Sequence, residues 1–184
     1  MTPAMDTIGA YLDALAQNKL DREAFLAQNK VPFLVTVETM DDALPGGMTP
    51  EGATAATVAH DPQKLRRASI AAREARVYAI AKREGVNADK AILVGRARDN
   101  DVWINDSEVS KHHAKVTISK GEYSISDVGS TNGTFINDRK IELEKPVAVH
   151  NYDAVRLGRA QKMQFLDAES FFDYLTVLRR FVGI

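Results

Sequence analysis

The sequence predicts a mainly β protein: an antiparallel β-sandwich in the second half of the chain, with short helices before it and one helix after it. Three observations carry this. From Val77 onward, short runs of alternating character follow one another closely (VYAIAKRE, AILVGRA, DVWI, HAKVTIS, EYSISDV, GTFIN, VAVH, DAVRLG, KMQFLD), each broken by turn-forming residues. Large apolar side chains recur at helical spacing near both ends of the chain. Hydrophobic residues make up 45% of the 184, enough to bury one domain of ordinary size with a smaller appendage.

In chain order, Thr2 and Pro3 suit a helix cap and first turn, and Ile8, Leu12, Leu15 and Ala16 share one face of that helix. Asp21 is the expected cap of a second short helix, with Leu20 and Phe25 placed as a hydrophobic staple across its start. VPFLVTV, from Val31 to Val37, reads as a strand, which gives residues 1–40 as an N-terminal helical and strand segment. From Asp41 to His60 the composition turns to Gly, Pro, Ala and Thr, too few large apolar side chains to offset ordering entropy. Asp61 and Pro62 then start a short helix through about Arg73, so 41–76 is assigned as flexible linker plus short helix. The sandwich is assigned to 77–167. The final helix, 168–184, has Asp167 as cap, a stripe of Phe171, Leu175, Leu178 and Val182, Arg179 and Arg180 near its negative end, and Gly183 as stop. That stripe is expected to pack against the N-terminal helices or the sandwich.

Charge and composition exclude several functions. With 24 Lys and Arg against 25 Asp and Glu, net charge -1 and pI near 6.4, there is no basic excess of the kind that attracts nucleic acid or anionic membrane. Any anion must be held by local geometry. The absence of cysteine removes disulfides, thiolate nucleophiles and cysteine metal sites, and four histidines without metal spacing do not make a zinc site. Ser110 lies close to His112 and His113 but in no G-x-S-x-G elbow, and GSTNGT lacks the Gly-Lys-Ser/Thr ending of a P-loop. The expectation is therefore a protein that is not an enzyme, with no catalytic residues, metal or cofactor. No basic head with an apolar run opens the chain, and no long apolar stretch occurs, so a soluble, cytoplasmic protein is expected.

Three polar clusters stand on loops of the strand-rich half: Gly95 with Arg96; Ser110, Lys111, His112 and His113; and Ser130, Thr131, Asn132 and Gly133. With VGRARDNDVWI, VSKHHAKV, SDVGSTNGTFIN and the later YDAVRLG, in this order and spacing, the stretch from about Val77 to Leu166 resembles the forkhead-associated (FHA) domain family. The layout is similar to that of bacterial proteins with one FHA domain and an N-terminal extension. The resemblance implies an FHA-like β-sandwich that binds phosphothreonine and serves as a signalling adaptor reading Ser/Thr-kinase phosphorylation. A phosphothreonine carries about -1.5 to -2 charges and three acceptor oxygens, so a domain without basic excess must converge several donors on it. By resemblance, Arg96 supplies the planar charged fork, Ser110 its hydroxyl, Lys111 a second cation, Thr131 a contact near the phosphate, and Asn132 a grip on the peptide main chain. Gly95, Gly133 and His113 are structural supports, as are Asp127 and Asn137, and Glu108 biases peptide choice by charge. The chain departs from the family pattern at Tyr152 and Asp153, where Gly-Asp is usual, so the turn there is expected to be remodelled.

The implied partners are a phosphothreonine-containing protein or peptide and an upstream Ser/Thr kinase, with no nucleic acid and no membrane. The chain's own phosphorylated N-terminal region is a further candidate ligand, since Thr39, Thr49, Thr54 and Thr57 precede the domain. The competing reading is a phosphate-independent FHA scaffold or oligomerisation protein, which the presence of both Arg96 and Ser110 disfavours.

Overall fold

The computed structural model describes residues 6–17, 19–36, 69–160 and 162–182. Helix α1 (Ile8–Ala16) begins at Thr7, whose Oγ1 accepts the Ala10 N–H at 3.4 Å. Thr2 and Pro3, the expected start, lie outside the described residues, and the cap is Thr7. Asp21 caps α2 (Arg22–Gln28) as expected, its Oδ1 accepting the Ala24 N–H at 2.7 Å. β1 (Phe33–Thr36) follows, and a helical stretch, 69–74, here α3, leads into β2 (Val77–Ala79). Residues 37–68, which include the expected linker from Asp41 to His60, its threonines and the expected helix start at Asp61, lie outside the described residues.

The remaining strands are β3 (Ile92–Gly95), β4 (Val102–Trp103), β5 (Ala114–Ser119), β6 (Glu122–Asp127), β7 (Thr134–Ile136), β8 (Arg139–Lys140), β9 (Val147–Val149), β10 (Ala154–Leu157) and β11 (Met163–Leu166). The chain closes in α4 (Ala168–Val182), capped by Asp167, whose Oδ1 accepts the Ser170 N–H at 2.7 Å. A six-stranded sheet in the order β2-β1-β11-β10-β7-β8 and a five-stranded sheet in the order β4-β3-β5-β6-β9 make up the strand-rich body. Neighbours pair antiparallel except β3 with β4, which run parallel. The predicted mainly β sandwich with flanking helices is the fold observed. One core joins the two sheets, with Ile92, Val94, Val116 and Ile125 from the second sheet against Val155, Leu157, Met163 and Phe165 from the first.

β1 belongs to this sandwich. The sequence assignment starts the sandwich at Val77, whereas the strand at 33–36 runs between β2 and β11, with Phe33 opposite Leu166 and Thr36 opposite Met163. The reason lies in its unbroken apolar run: Leu34 enters the inter-sheet core, while Phe33 and Val35 point to the other face, so the strand is buried on both sides. On that other face a second core gathers Ile8, Leu12, Phe25, Phe33, Leu166, Phe171 and Leu175 beneath α1, α2 and α4. The helices are thus a third layer on the outer face of the six-stranded sheet.

Strand direction places the chain's exit from β1. β10 runs toward Leu157, opposite Thr134, and the next residue donates its N–H to the Gly133 carbonyl at 2.8 Å. β11 returns and β1 runs alongside it in β10's direction, so Thr36 and Val77 lie at the sheet end that carries Gly133.

Candidate functional site

β3 ends at Gly95 because the chain turns there against the β4–β5 loop. A Cβ on Gly95 would run into the Lys111 carbonyl and stand 3.0 Å from Asn100 Nδ2, so only glycine lets the two loops close. Beyond it the Arg96 N–H donates to the Ser110 carbonyl at 2.9 Å and the Ala97 N–H to the Lys111 carbonyl at 3.0 Å. Asn100, fully buried, donates from Nδ2 to the Ala97 and Lys111 carbonyls, each at 2.7 Å. The Arg96 carbonyl accepts the Trp103 indole N–H at 3.0 Å, with the Arg98 guanidinium 4.5 Å above that ring. The Arg96 side chain is exposed, and its Nε donates to the Val109 carbonyl at 3.1 Å. Among the described residues its Nη groups make no hydrogen bond and no carboxylate pairs with it.

His113 joins this loop to the next. Its backbone N–H donates to the Val94 carbonyl at 2.9 Å, and its ring is fully buried. The Ser110 N–H donates to Nδ1 at 3.0 Å, which leaves the ring proton on Nε2, 3.2 Å from the Gly133 carbonyl. Burial pushes the imidazole pKa down, outweighing the Gly133 carbonyl and the Asp127 charge that pull it up, so a neutral ring is the native form.

The β6–β7 loop is built around Asp127. Its Oδ1 accepts from Gly129 N and Ser130 N at 2.9 Å each, and its Oδ2 from Ser130 Oγ at 2.6 Å and Thr134 Oγ1 at 2.7 Å. Burial alone would raise this carboxyl, but the hydroxyl and N–H donors outweigh it and hold the pKa below the ordinary value. Ser130 Oγ in turn accepts the Gly133 N–H at 2.8 Å. The loop is fixed on both sides of Thr131 and Asn132 before any ligand arrives. The Thr131 N–H donates to Ser110 Oγ at 3.0 Å, and the two hydroxyls stand 3.4 Å apart.

The structure brings Arg96, Ser110 and Thr131 together on adjoining loops at one end of the sandwich. Lys111, exposed, follows Ser110, and Asn132, half-buried, follows Thr131. Glu108 lies on the same β4–β5 loop, where its N–H donates to Asp106 Oδ1 at 2.8 Å. His112 is exposed, with Nε2 3.7 Å from Asp99. Asp101 is engaged elsewhere: its buried carboxylate holds Lys82 at 2.8 Å. In the turn where the chain departs from the family pattern, Tyr152 stands at φ 69 and the neighbouring Asp153 carboxylate accepts from His150 N and Asn137 Nδ2. Sequence reasoning missed Trp103, Asn100 and Lys140. The first two are ordinary core and turn residues in the linear pattern, and only the fold reveals that they grip loop carbonyls. Lys140 reads as hairpin polarity but packs over Gly133, close to where a Cβ would stand.

Residues 92–158 match the family model of the FHA domain. Over 65 residues the chain is 35% identical to the glycogen accumulation regulator GarA of Mycolicibacterium smegmatis, covering 35% of this chain and 39% of that protein. It is 44% identical over 65 residues to the oxoglutarate dehydrogenase inhibitor of Corynebacterium glutamicum, covering 35% of this chain and 43% of that protein. The chain thus spans less than half the length of these two curated relatives. Among solved structures it is similar to the FHA domain of CT664 from Chlamydia trachomatis, with 20% identity, coverage of 74% of this chain and 97% of that one, and a TM-score of 0.44. The polar loops that gather at one end of the sandwich fall within the matched stretch, and the chain carries an FHA domain in residues 92–158.

Proposed function

We propose that this protein reads phosphothreonine on a partner protein and acts as a signalling adaptor rather than as an enzyme. One observation carries the reading: Arg96 is held at its backbone by Ser110 and at Nε by Val109, yet its Nη groups are unclaimed among the described residues, and the Ser110 hydroxyl of that adjoining loop meets the Thr131 hydroxyl. A tetrahedral dianion at that point meets a charged fork, two hydroxyls and the Lys111 cation. Asn132, with both donor and acceptor, holds the main chain beyond it. Because the loops are already fixed through Asp127 and His113, little ordering is required on binding. Arg96→Ala should lower phosphothreonine-peptide affinity by roughly 2–4 kcal/mol, leaving the phosphate partly unpaired, with folding nearly unchanged. Titration of a phosphothreonine peptide library and its unphosphorylated counterpart tests this. No phosphate-dependent binding, or wild-type affinity in Arg96→Ala, would favour a phosphate-independent scaffold.

The ligands in this reading include the chain's own phosphorylated upstream segment, with a Ser/Thr kinase supplying the phosphate. The chain leaves β1 at Thr36 on the site end of the sheet, three strand spacings, or about 14 Å, from β7. Thr49, 13 residues beyond Thr36 in the sequence, has a reach of about 43 Å, whereas the three residues to Thr39 span only about 10 Å and fall short. Tethering gives such a phosphothreonine a millimolar-scale effective concentration. Phosphorylation at Thr49 should therefore weaken binding of an added phosphopeptide and compact the chain in scattering. Arg96→Ala removes that compaction.

A further inference from the structure

Asn132 stands beside two cations that the phosphate loops do not use. The register of β8, β7 and β10 aligns Lys140, Phe135 and Arg156 in one row across the six-stranded sheet. Their neighbours Ile136, Ile141, Val155 and Leu157 point into the core, so this row faces outward. Both cationic heads are drawn toward the site end. Lys140 Nζ lies 3.0 Å from where a Cβ on Gly133 would stand. Arg156, 3.9 Å over the Phe135 ring, donates from Nη1 to the Gly158 carbonyl at 2.6 Å. Gly158 is itself hydrogen-bonded to Gly133 at 2.8 Å, and a Cβ on it would stand 3.2 Å from Asn132 Cβ. The two heads thus border the glycine floor beside Asn132.

Neither cation forms an ion pair among the described residues; Asp138, which lies within electrostatic range of Arg156, is held by Lys162 at 2.9 Å. Exposed Arg159 follows Gly158 on the same loop. In a chain of net charge -1, this concentration of positive charge is local. We infer that Lys140 and Arg156 form an anion subsite that selects partner segments with an Asp or Glu close to the phosphothreonine, on the side whose main chain Asn132 holds. This rests on the phosphothreonine reading and adds partner selectivity to it. The extended segment gripped by Asn132 crosses the Gly133–Gly158 floor, where a carboxylate directed at the row accepts from a point cation and a planar fork. Glu108 is the nearby acid on the facing loop, its backbone carbonyl bordering the same floor 2.5 Å from the Gly158 Cβ position, and its charge opposes the preference. Glu108 and Asp138 offset part of the charge of Lys140, Arg156, Arg159 and Lys162, and the surplus is positive, so the sign of the selectivity is acidic.

The test uses three phosphothreonine peptides: one neutral, one with two Asp residues at the second and third positions after the phosphothreonine, and one with them before it. One acidic peptide should bind about 3- to 10-fold more tightly than the neutral one at low salt, with the gain shrinking as salt is raised. The ratio of acidic to neutral affinity should fall toward one in Lys140→Gln and in Arg156→Gln, and recover in Lys140→Arg. Acidic peptides that gain nothing over the neutral one in the wild type, or a gain that survives both neutral substitutions, would overturn the subsite. Where the neutral phosphopeptide binds no better than its unphosphorylated twin, the phosphothreonine reading falls and the subsite with it.

Discussion

His113 shows how one buried side chain can tie together two loops of the proposed site from beneath them. Ser110 N donates to its Nδ1 at 3.0 Å and its Nε2 faces Gly133 O at 3.2 Å, so the neutral ring ties together the two loops that present Ser110 and Asn132. A protonated ring has no acceptor for the Ser110 N–H. The folded-state pKa is depressed, chiefly by burial, below the ordinary value of 6.5. The unfolded chain therefore binds a proton first as pH falls, and the stability this histidine contributes is complete above pH 6.5 and declines below it. Urea unfolding at pH 7 and at pH 5.5 should show the wild type losing stability on acidification. His113→Gln should be less stable at pH 7 by roughly 1–3 kcal/mol, since a buried donor or acceptor loses its partner. Its loss on acidification should be smaller than the wild type's, because the other histidines contribute equally to both proteins. An identical pH dependence in the two proteins would contradict this assignment.

Among elements, the loop between β2 and β3 depends on a carboxylate at the start of β4. The Asp101 side chain is fully buried and accepts from Lys82 Nζ and Leu93 N at 2.8 Å, Arg83 N at 3.0 Å and Asn87 Nδ2 at 3.1 Å. Burial raises its pKa, but these donors outweigh that and bring it from 3.8 to about 2. A depressed carboxyl stabilises the fold above its unfolded pKa, here by about 2 kcal/mol, and that stabilisation drains away as pH falls from 3.8 toward 2. Asp101→Ala should lower stability by at least this amount at neutral pH and flatten the acid limb of the stability curve. Denaturant melts across that range check it. The same residue marks what the sequence conceals. Arg96, Ser110 and Asn132 sit in loop motifs that carry the resemblance to the FHA family, which is what singled them out in the linear sequence. Asp101 is indistinguishable there from its neighbour Asp99, and its partner Lys82 lies 19 positions away across a loop. Strand β1 was legible as a strand, yet its place between β2 and β11 depends on long-range pairing that no local signal encodes. The caps Asp21 and Asp167 were legible because a cap is a local interaction.

At the scale of the whole molecule, the helical layer and the loops of the proposed site occupy different parts of the fold, so stability and the proposed binding should be separable. α4 lays Phe171 and Leu175, both 0% exposed, and Leu178 against the second core, so most of the predicted apolar stripe faces inward and is not available as an oligomer contact. Phe171 is central to it, with ring centroids 4.5 Å from Phe33 on β1 and 5.0 Å from Tyr11 on α1. One side chain thereby links the C-terminal helix, the N-terminal helix and a strand of the sandwich. The large side chains of α4 buried there each contribute about 1.5–3 kcal/mol, and together approach the 5–15 kcal/mol that typically separates folded from unfolded. Ending the chain before Glu169 should therefore abolish cooperative thermal unfolding instead of merely lowering its midpoint. Phe171→Ala is the gentler probe, expected to cost roughly 3–5 kcal/mol through lost burial and a residual cavity. Its effect on phosphopeptide affinity at a temperature where it stays folded should be small, because Arg96, Ser110 and Asn132 are held by the inter-loop hydrogen bonds and not by the second core. Calorimetric melting and peptide titration on the same sample decide the matter. Unchanged melting in the truncated chain would contradict the packing of α4, and equal losses of stability and affinity in Phe171→Ala would show that the helical layer and the site are coupled after all.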